Sequence, residues 1–256
     1  MMRRDLDLLL SNLARDLRDL RPTEITRKSR HDHVTDIDRM ADRMLSAQLA
    51  ALTPGVPVFS EEREIRDLPA RYWIIDPIDG TANLIAGLPF VAMAAALIED
   101  GAVILSGVAD ITRGVIYTAA RGQGAFCGTT RLTMPITFPE LLSFSSGFLD
   151  RAIDEPELLR KLRRLGKFRN LGSQALQLCA VATGALSANI SMEARRWDDA
   201  AGSLIVTEAG GTYRATPTGP RATDRQRSVA AHPAIADDIL NWSARLWPDI
   251  RIGDPV

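Results

Sequence analysis

The chain has 256 residues, a formal net charge of −1, a hydrophobic fraction of 46% and a charged fraction of 25%. This is the make-up of a globular protein with one large domain or two small ones, and it gives no global field toward nucleic acid or an anionic membrane. The longest apolar run, FVAMAAALI at 90–98, falls well short of the roughly 20 residues that a membrane helix needs.

In chain order, Leu6, Leu9, Leu10, Leu13, Leu17 and Leu20 recur at helical spacing over 5–20, and Pro22 stops them. Asp5 and Asp7 break any leader-like apolar core in the same stretch. A polar stretch, 23–34, leads to a second amphipathic helix from about Thr35 to Leu52, ended by TPGVP. The short strand PVFS precedes Glu61 and Glu62. Residues 71–126 read as an antiparallel sheet, in which YWIID is one strand and Asp100–Gly101 turns a hairpin between two apolar runs. After MPITFPE at 134–140 the pattern alternates. Helices are expected at 155–165, 173–187, 198–209 and 233–246, strands at 143–147, 168–170, 188–192 and 227–231, and a surface loop at 216–227. Such a layout implies helices and sheets layered around two cores.

Cys127 and Cys179 lie far apart in no C-x-x-C pattern and read as packing residues in a reducing compartment, so the cytoplasm is the expected location. His31, His33 and His232 show no metal-ligand spacing and are expected on the surface or in loops. The basic run RKLRRLGKFR, 160–169, is threaded by leucines at helical spacing and reads as the solvated face of a helix.

The informative feature is where the carboxylates fall. Asp38, Glu61, Glu62, Asp76, Asp79 and Asp198 each sit at the end of an apolar element. Taken singly, each has a bland reading. Asp79 can cap the turn 80–86, Glu61–Glu62 can be a solvated turn, and Asp38 and Asp198 can be helix caps. Taken together, oxygen ligands in this number suit a hard cation, because like charges repel unless a metal neutralises them. Pro77 holds Asp76 out of the helical region and favours a turn on which Asp76, Asp79 and the Ile78 carbonyl converge. The amides of Gly80 and Thr81, at the start of a short helix, are placed for a phosphate oxygen. Two ions about 3.5–4 Å apart would clamp an in-line phosphoryl transfer.

The blocks DHVTDID (32–38), SEE (60–62), WIIDPIDGTAN (73–83), YTAARGQGAF (117–126), GSQALQLCAVATG (172–184) and WDDAAGSLIVTEAGG (197–211) resemble, in order, those of the inositol monophosphatase-like family of Mg²⁺-dependent, lithium-sensitive phosphatases. The resemblance implies an α/β (α+β) fold, the layered α-β-α-β-α sandwich of the inositol monophosphatase and fructose-1,6-bisphosphatase type. It implies an N-terminal α+β half, 1–136, carrying most metal ligands, and a C-terminal α/β half, 137–256, supplying Asp198, together one compact unit. Glu61, Asp76 and the Ile78 carbonyl would hold a first Mg²⁺. Asp76, Asp79 and Asp198 would hold a second, and Glu61 a third through water, with Mn²⁺ as a substitute. Thr81, bonded to Asp38, would orient the attacking water, Glu62 would act through water, and Gly80 and Thr81 would receive the phosphate. Arg27 or Lys28 would stand near the acids.

Three positions depart from the family pattern. Ser191 stands where members that hydrolyse inositol phosphate carry a glutamate, with Glu193 two residues on. Arg195 and Arg196 precede Trp197, either as contacts to a second phosphate or carboxylate or as a surface pair. Leu84 replaces an aromatic. The expected activity is hydrolysis of an inositol phosphate or a related sugar or alcohol phosphate. Histidinol phosphate, fructose bisphosphate and 3′-phosphorylated nucleotides stand as alternatives, and a non-catalytic binding descendant or an aspartyl-phosphate hydrolase as other classes. The expected partner is a small phosphorylated metabolite in a homodimeric enzyme, with no nucleic-acid polymer and no membrane.

Overall fold

A computed structural model describes residues 2–29, 32–63, 68–217 and 224–243. Its organising element is a seven-stranded sheet. The strands are β3 (Val58–Ser60), β4 (Arg71–Asp79), β5 (Ala92–Glu99), β6 (Ala102–Asp110), β7 (Val115–Ala120), β8 (Gly124–Cys127) and β9 (Thr130–Leu132), in that order across the sheet. They pair antiparallel except for β3, which runs parallel to β4.

Strand periodicity gives the sheet two apolar faces. Trp73, Ile75, Met93, Ala95 and Leu97 face α1 (Met2–Leu17) and α2 (Asp36–Leu52). Tyr72, Ile74, Ala92, Ala94 and Ala96 face α6 (Gln174–Ala182) and α7 (Arg196–Glu208). The inner face of β5 is nearly all alanine, which lets α7 lie close against the sheet.

The same two helices cover a second, five-stranded sheet of order β11 (Lys167–Arg169), β10 (Leu141–Phe144), β12 (Ala188–Ala194), β14 (Gln226–Ala231) and β13 (Thr212–Pro217). Its other face packs on α4 (Ser146–Ala152), α5 (Pro156–Leu165) and α8 (Pro233–Ser243). The layers therefore run α-β-α-β-α, as expected. No helix among the described residues is long and apolar enough to cross a membrane.

Several local expectations need correction. The polar stretch 23–34 contains a hairpin, β1 (Ile25–Ser29) with β2 (Asp32–Thr35), whose first strand is wholly exposed and so carries no apolar alternation. The strand expected at 143–147 ends at Phe144, because the Ser145 side chain caps α4 instead. The helix expected at 173–187 stops at Ala182, and Gly184, at φ 74°, turns the chain. β13 was not foreseen, and the loop expected at 216–227 loses both ends to strands, with 218–223 outside the described residues. His31 and the end of the helix expected at 233–246 are also outside them. His232 is buried, within 2.8 Å of the Pro135 carbonyl, rather than on the surface. Cys127 is half-buried, Cys179 is buried and both are free.

Contact between α6 and α7 requires a glycine. A Cβ at Gly202 would lie 2.5 Å from Leu178 Cβ, which is too near the α6 backbone to swing aside. Gly202→Ala is expected to cost about 1–3 kcal/mol by overpacking. This would lower the thermal midpoint by about 2–4 °C per kcal/mol. An unchanged midpoint would mean that the two helices are not held this tightly.

Candidate active site

Two carboxylates three positions apart on a regular strand point to opposite faces. β4 avoids this with a bulge. Asp76 pairs with Ala94 and Asp79 with Ala92, so three steps on β4 match two on β5. The extra residue lies in the Pro77–Ile78 segment, where the missing proline N–H leaves the ladder without a donor. Both aspartates therefore face the α6–α7 layer, and both are buried. The Asp76 Oδ1 accepts from the Ile78 N–H at 3.1 Å and closes the turn.

The remaining acids come from neighbouring elements. Glu61 follows β3, and its N–H donates to the Ile75 carbonyl at 3.3 Å. Asp198 lies in the first turn of α7, where its Oδ2 accepts from the Arg195 N–H at 2.6 Å. Glu61, Asp76 and Asp198 each offer an oxygen, and these lie within 4.8 Å of one another. Asp79 stands beside this trio with a different set of partners. Its carboxylate accepts from the Ser173 hydroxyl at 2.6 Å and from the amides of Ala175 at 2.7 Å and Gln174 at 3.2 Å. It thus caps α6, not the turn 80–86, and a helix N-terminus is a favourable place for a negative charge.

The acids disturb one another. Burial, and then the charges of Glu61, Asp79, Asp198 and Asp38, push Asp76 well above the usual carboxylate range. Burial, Glu61 and Asp79 do the same to Asp198. Burial raises Glu61 to about 7 against the opposing charge of Lys28. Burial raises Asp79 to about 6, held back by Ser173 and the two amides. A group of hard oxygen donors, Asp76 and Asp79 buried and Glu61 and Asp198 half-buried, with Lys28 as its ion-pair partner among the described residues, is what a divalent ion such as Mg²⁺ would relieve, so the residues fit such an ion.

Asp38 is buried in the first turn of α2, where it completes a capping box with Thr35. The N-cap itself is Thr35, with Asp38 three residues into the helix, and Asp38 is also the partner of Thr81. The Thr81 hydroxyl donates to Asp38 Oδ1 at 2.8 Å and lies 3.2 Å from the Ile78 carbonyl. Gly80, at φ 99°, begins α3 (Thr81–Ala86), and a Cβ there would lie 2.6 Å from the Phe90 carbonyl. Asn83 holds this corner by donating to the carbonyls of Phe90 at 3.0 Å and Leu171 at 2.8 Å. Of the two basic residues left open, Lys28 is the one at the acids. Its Nζ lies 2.8 Å from Glu62 and 3.4 Å from Glu61.

A cavity of about 320 Å³ opens over these groups. Glu61, Asp76, Ile78, Asp79, Gly80, Thr81 and Asp198 form one side. Ser145, Ser146, Asn170, Gln174, Gln177, Ser191 and Glu193 form the other, and His33 also lines it. Glu193 is anchored by the Gly147 N–H at 2.9 Å, and the Ser191 hydroxyl accepts from the Ala194 N–H at 3.3 Å.

The two arginines do not line the cavity. Arg196 donates to the Gly101 carbonyl at the β5–β6 turn, and Arg195 lies over the Trp197 ring. Glu208 holds the Gly122 and Gly124 amides, both at 2.7 Å, far from the acids. The glutamine wall was missed. The block 172–184 was legible as a unit, but nothing in it marked Gln174 or Gln177 as facing a cavity.

Without a divalent ion, the raised acids make a signed prediction. In the unfolded chain they titrate near 4. Between that value and 7 the folded protein holds more of their protons, so their contribution to stability is full at low pH and is lost as pH rises through 6 and 7. The thermal midpoint in chelator is expected to fall across this window. Asp76→Asn should flatten the fall and melt above the parent at pH 7.5. An unchanged slope together with a lower midpoint in the variant would contradict the assignment.

Residues 7–245 match the model of the inositol monophosphatase family. The chain is 35% identical over 230 residues to the inositol-1-monophosphatase of Mycobacterium bovis, covering 82% of this chain and 77% of that one. It superposes on the solved structure of the Thermotoga maritima IMPase with a TM-score of 0.81 at 28% identity, covering 98% of this chain and 100% of that one. It shares its fold with an IMPase/NADP phosphatase solved with Mg²⁺ and phosphate, with a TM-score of 0.72 at 24% identity over 93% of this chain and 90% of that one.

Proposed function

Because the chain belongs to the inositol monophosphatase family and is a phosphoric monoester hydrolase, we propose that it releases phosphate from a small hydroxyl-bearing monoester in a Mg²⁺-dependent reaction. The substrate would be an inositol phosphate or a related sugar or alcohol phosphate. The observation that carries this reading is the convergence of buried Asp76 with half-buried Glu61 and Asp198 on a polar cavity.

Glu61, Asp76 and the Ile78 carbonyl would hold a first Mg²⁺, and Asp76, Asp79 and Asp198 a second. Glu61 would reach a third through water. Bound there, the ions would activate water and offset negative charge developing on the phosphate. The chain's own residues do the positioning. Asp38, already engaged by Thr35, accepts the Thr81 proton and leaves the Thr81 oxygen free to accept from a water in the cavity. Gly80 and Thr81 would present their amides to the phosphate. Glu62 would act through water beside Lys28.

The opposite wall favours a neutral, hydroxylated leaving group. It offers hydroxyls, amides and Glu193, and among the described residues no lysine or arginine lines the cavity. A second phosphate would call for such a cation. This weighs against bisphosphate substrates and removes the arginine pair from the proposed contacts. The reading carries with it Mn²⁺ as a substitute ion, lithium sensitivity, a homodimer and a cytoplasmic location.

Phosphate release from inositol 1-phosphate, histidinol phosphate, fructose 1,6-bisphosphate and 3′-phosphoadenosine 5′-phosphate, with Mg²⁺ and then with chelator, tests the proposal. Metal-dependent turnover should be highest on inositol 1-phosphate. A bisphosphate far ahead of it would overturn the substrate class. Asp76→Asn should lose about 10³-fold in kcat or more, since several kcal/mol of charge stabilisation goes with the metal. Near-parental turnover would contradict it. Thr81→Ala should lose about 10²-fold in kcat with little change in KM. A change confined to KM would make Thr81 a binding group only.

A further inference from the structure

Behind the polar wall stands a buried carboxylate for which the proposed hydrolysis has no use. Asp199 follows Asp198 on α7 and so points about 100° around the helix from it, away from the acid trio. Asp199 is fully buried. Its Oδ1 accepts from Gln174 Nε2 at 2.8 Å, and its Oδ2 accepts from the Tyr213 hydroxyl at 2.9 Å and from Gln226 Nε2 at 2.8 Å. A buried carboxylate is costly unless donors surround it, and here α6, β13 and β14 each supply one.

The consequence lies in the glutamine amides. Gln174 Nε2 gives its other proton to Asn189 Oδ1 at 2.9 Å, and Asn189 Nδ2 donates to the Ser143 hydroxyl at 2.9 Å. Both protons of Gln174 Nε2 are committed, so its amide has one orientation. Gln177 follows suit. Its Nε2 donates to Gln174 Oε1 at 3.3 Å, and its own Oε1 accepts from the Leu171 N–H at 3.1 Å. Both glutamines line the cavity. One acceptor position remains on Gln174 Oε1 and one proton on Gln177 Nε2.

We infer that Asp199 is a positioning residue for substrate specificity: it orients the Gln174 and Gln177 amides so that the wall presents one acceptor and one donor to hydroxyl groups of the substrate. This rests on the phosphatase reading of the cavity.

Asp199→Asn tests it, because the isosteric amide adds a donor and lets the Gln174 amide turn over. The readout is a ratio of two substrates, inositol 1-phosphate with ring hydroxyls and phenyl phosphate without. The ratio of their kcat/KM values should fall about three- to ten-fold, the worth of about one neutral hydrogen bond, with the change in the KM of inositol 1-phosphate. Gln174→Met should lower the same ratio and serves if Asp199→Asn does not fold. In the parent protein without substrate, exchange of the Gln174 side-chain amide protons should be slow, and faster in Asp199→Asn. An unchanged ratio, an equal loss on both esters, or unchanged amide exchange would overturn the inference and leave the hydrolase reading standing. Absence of Mg²⁺-dependent release from both esters by the parent would overturn the hydrolase reading, and the amide exchange would still test the Asp199–Gln174 contact.

Discussion

The site depends on carboxylates forced to share one small buried volume. The β4 bulge turns Asp76 and Asp79 to the same face, and β3 and α7 bring Glu61 and Asp198 to meet them. Left alone, these charges oppose folding, which is why burial and mutual repulsion raise them. Glu61 and Glu62 have Lys28 as a partner, and Asp79 has the α6 N-terminus. Asp76 and Asp198 have backbone donors, and neither has an ion-pair partner among the described residues. The need for a divalent ion is therefore written into the placement of the acids rather than into any one of them.

The layered fold makes that placement possible. α6 and α7 lie between the two sheets, so one end of each helix can serve the site while its body serves the core. Asp198 reaches the acids from the first turn of α7, and the first residues of α6 hold Asp79. The five-stranded sheet contributes the opposite wall through Ser191 and Glu193. Alanines on β5 and Gly202 on α7 keep these layers close enough for ligands from different elements to converge.

Much of this was legible in the sequence because it follows from periodicity and punctuation. Leucines at helical spacing marked α1, the apolar face of Ile37, Met40, Met44, Leu45, Leu49 and Leu52 marked α2, and an Asp-Gly turn between apolar runs marked β5 and β6. The phrase DPIDGT marked the turn carrying Asp76 and Asp79. The unread parts share a physical reason, since their partners lie far away in the chain. Strand β1 is exposed throughout, so it has no hydrophobic pattern to read. Lys28 could be separated from Arg27 only by the register of that hairpin against Glu61. Nothing in the sequence singles out Asp199, because its donors come from 174, 213 and 226. Arg195 and Arg196 sat beside a motif, yet Arg196 bonds to a turn at the other end of β5.

The central claim is that these acids, raised by burial and by one another, gain protons that a divalent ion displaces. Calorimetric titration of the metal-free protein with Mg²⁺ near pH 6.5, in buffers of different ionisation enthalpy, measures that displacement directly. The account predicts binding with net proton release, larger at pH 6.5 than at pH 8 and reduced in Asp76→Asn. Binding with no proton release at pH 6.5, or no binding at all, would contradict it.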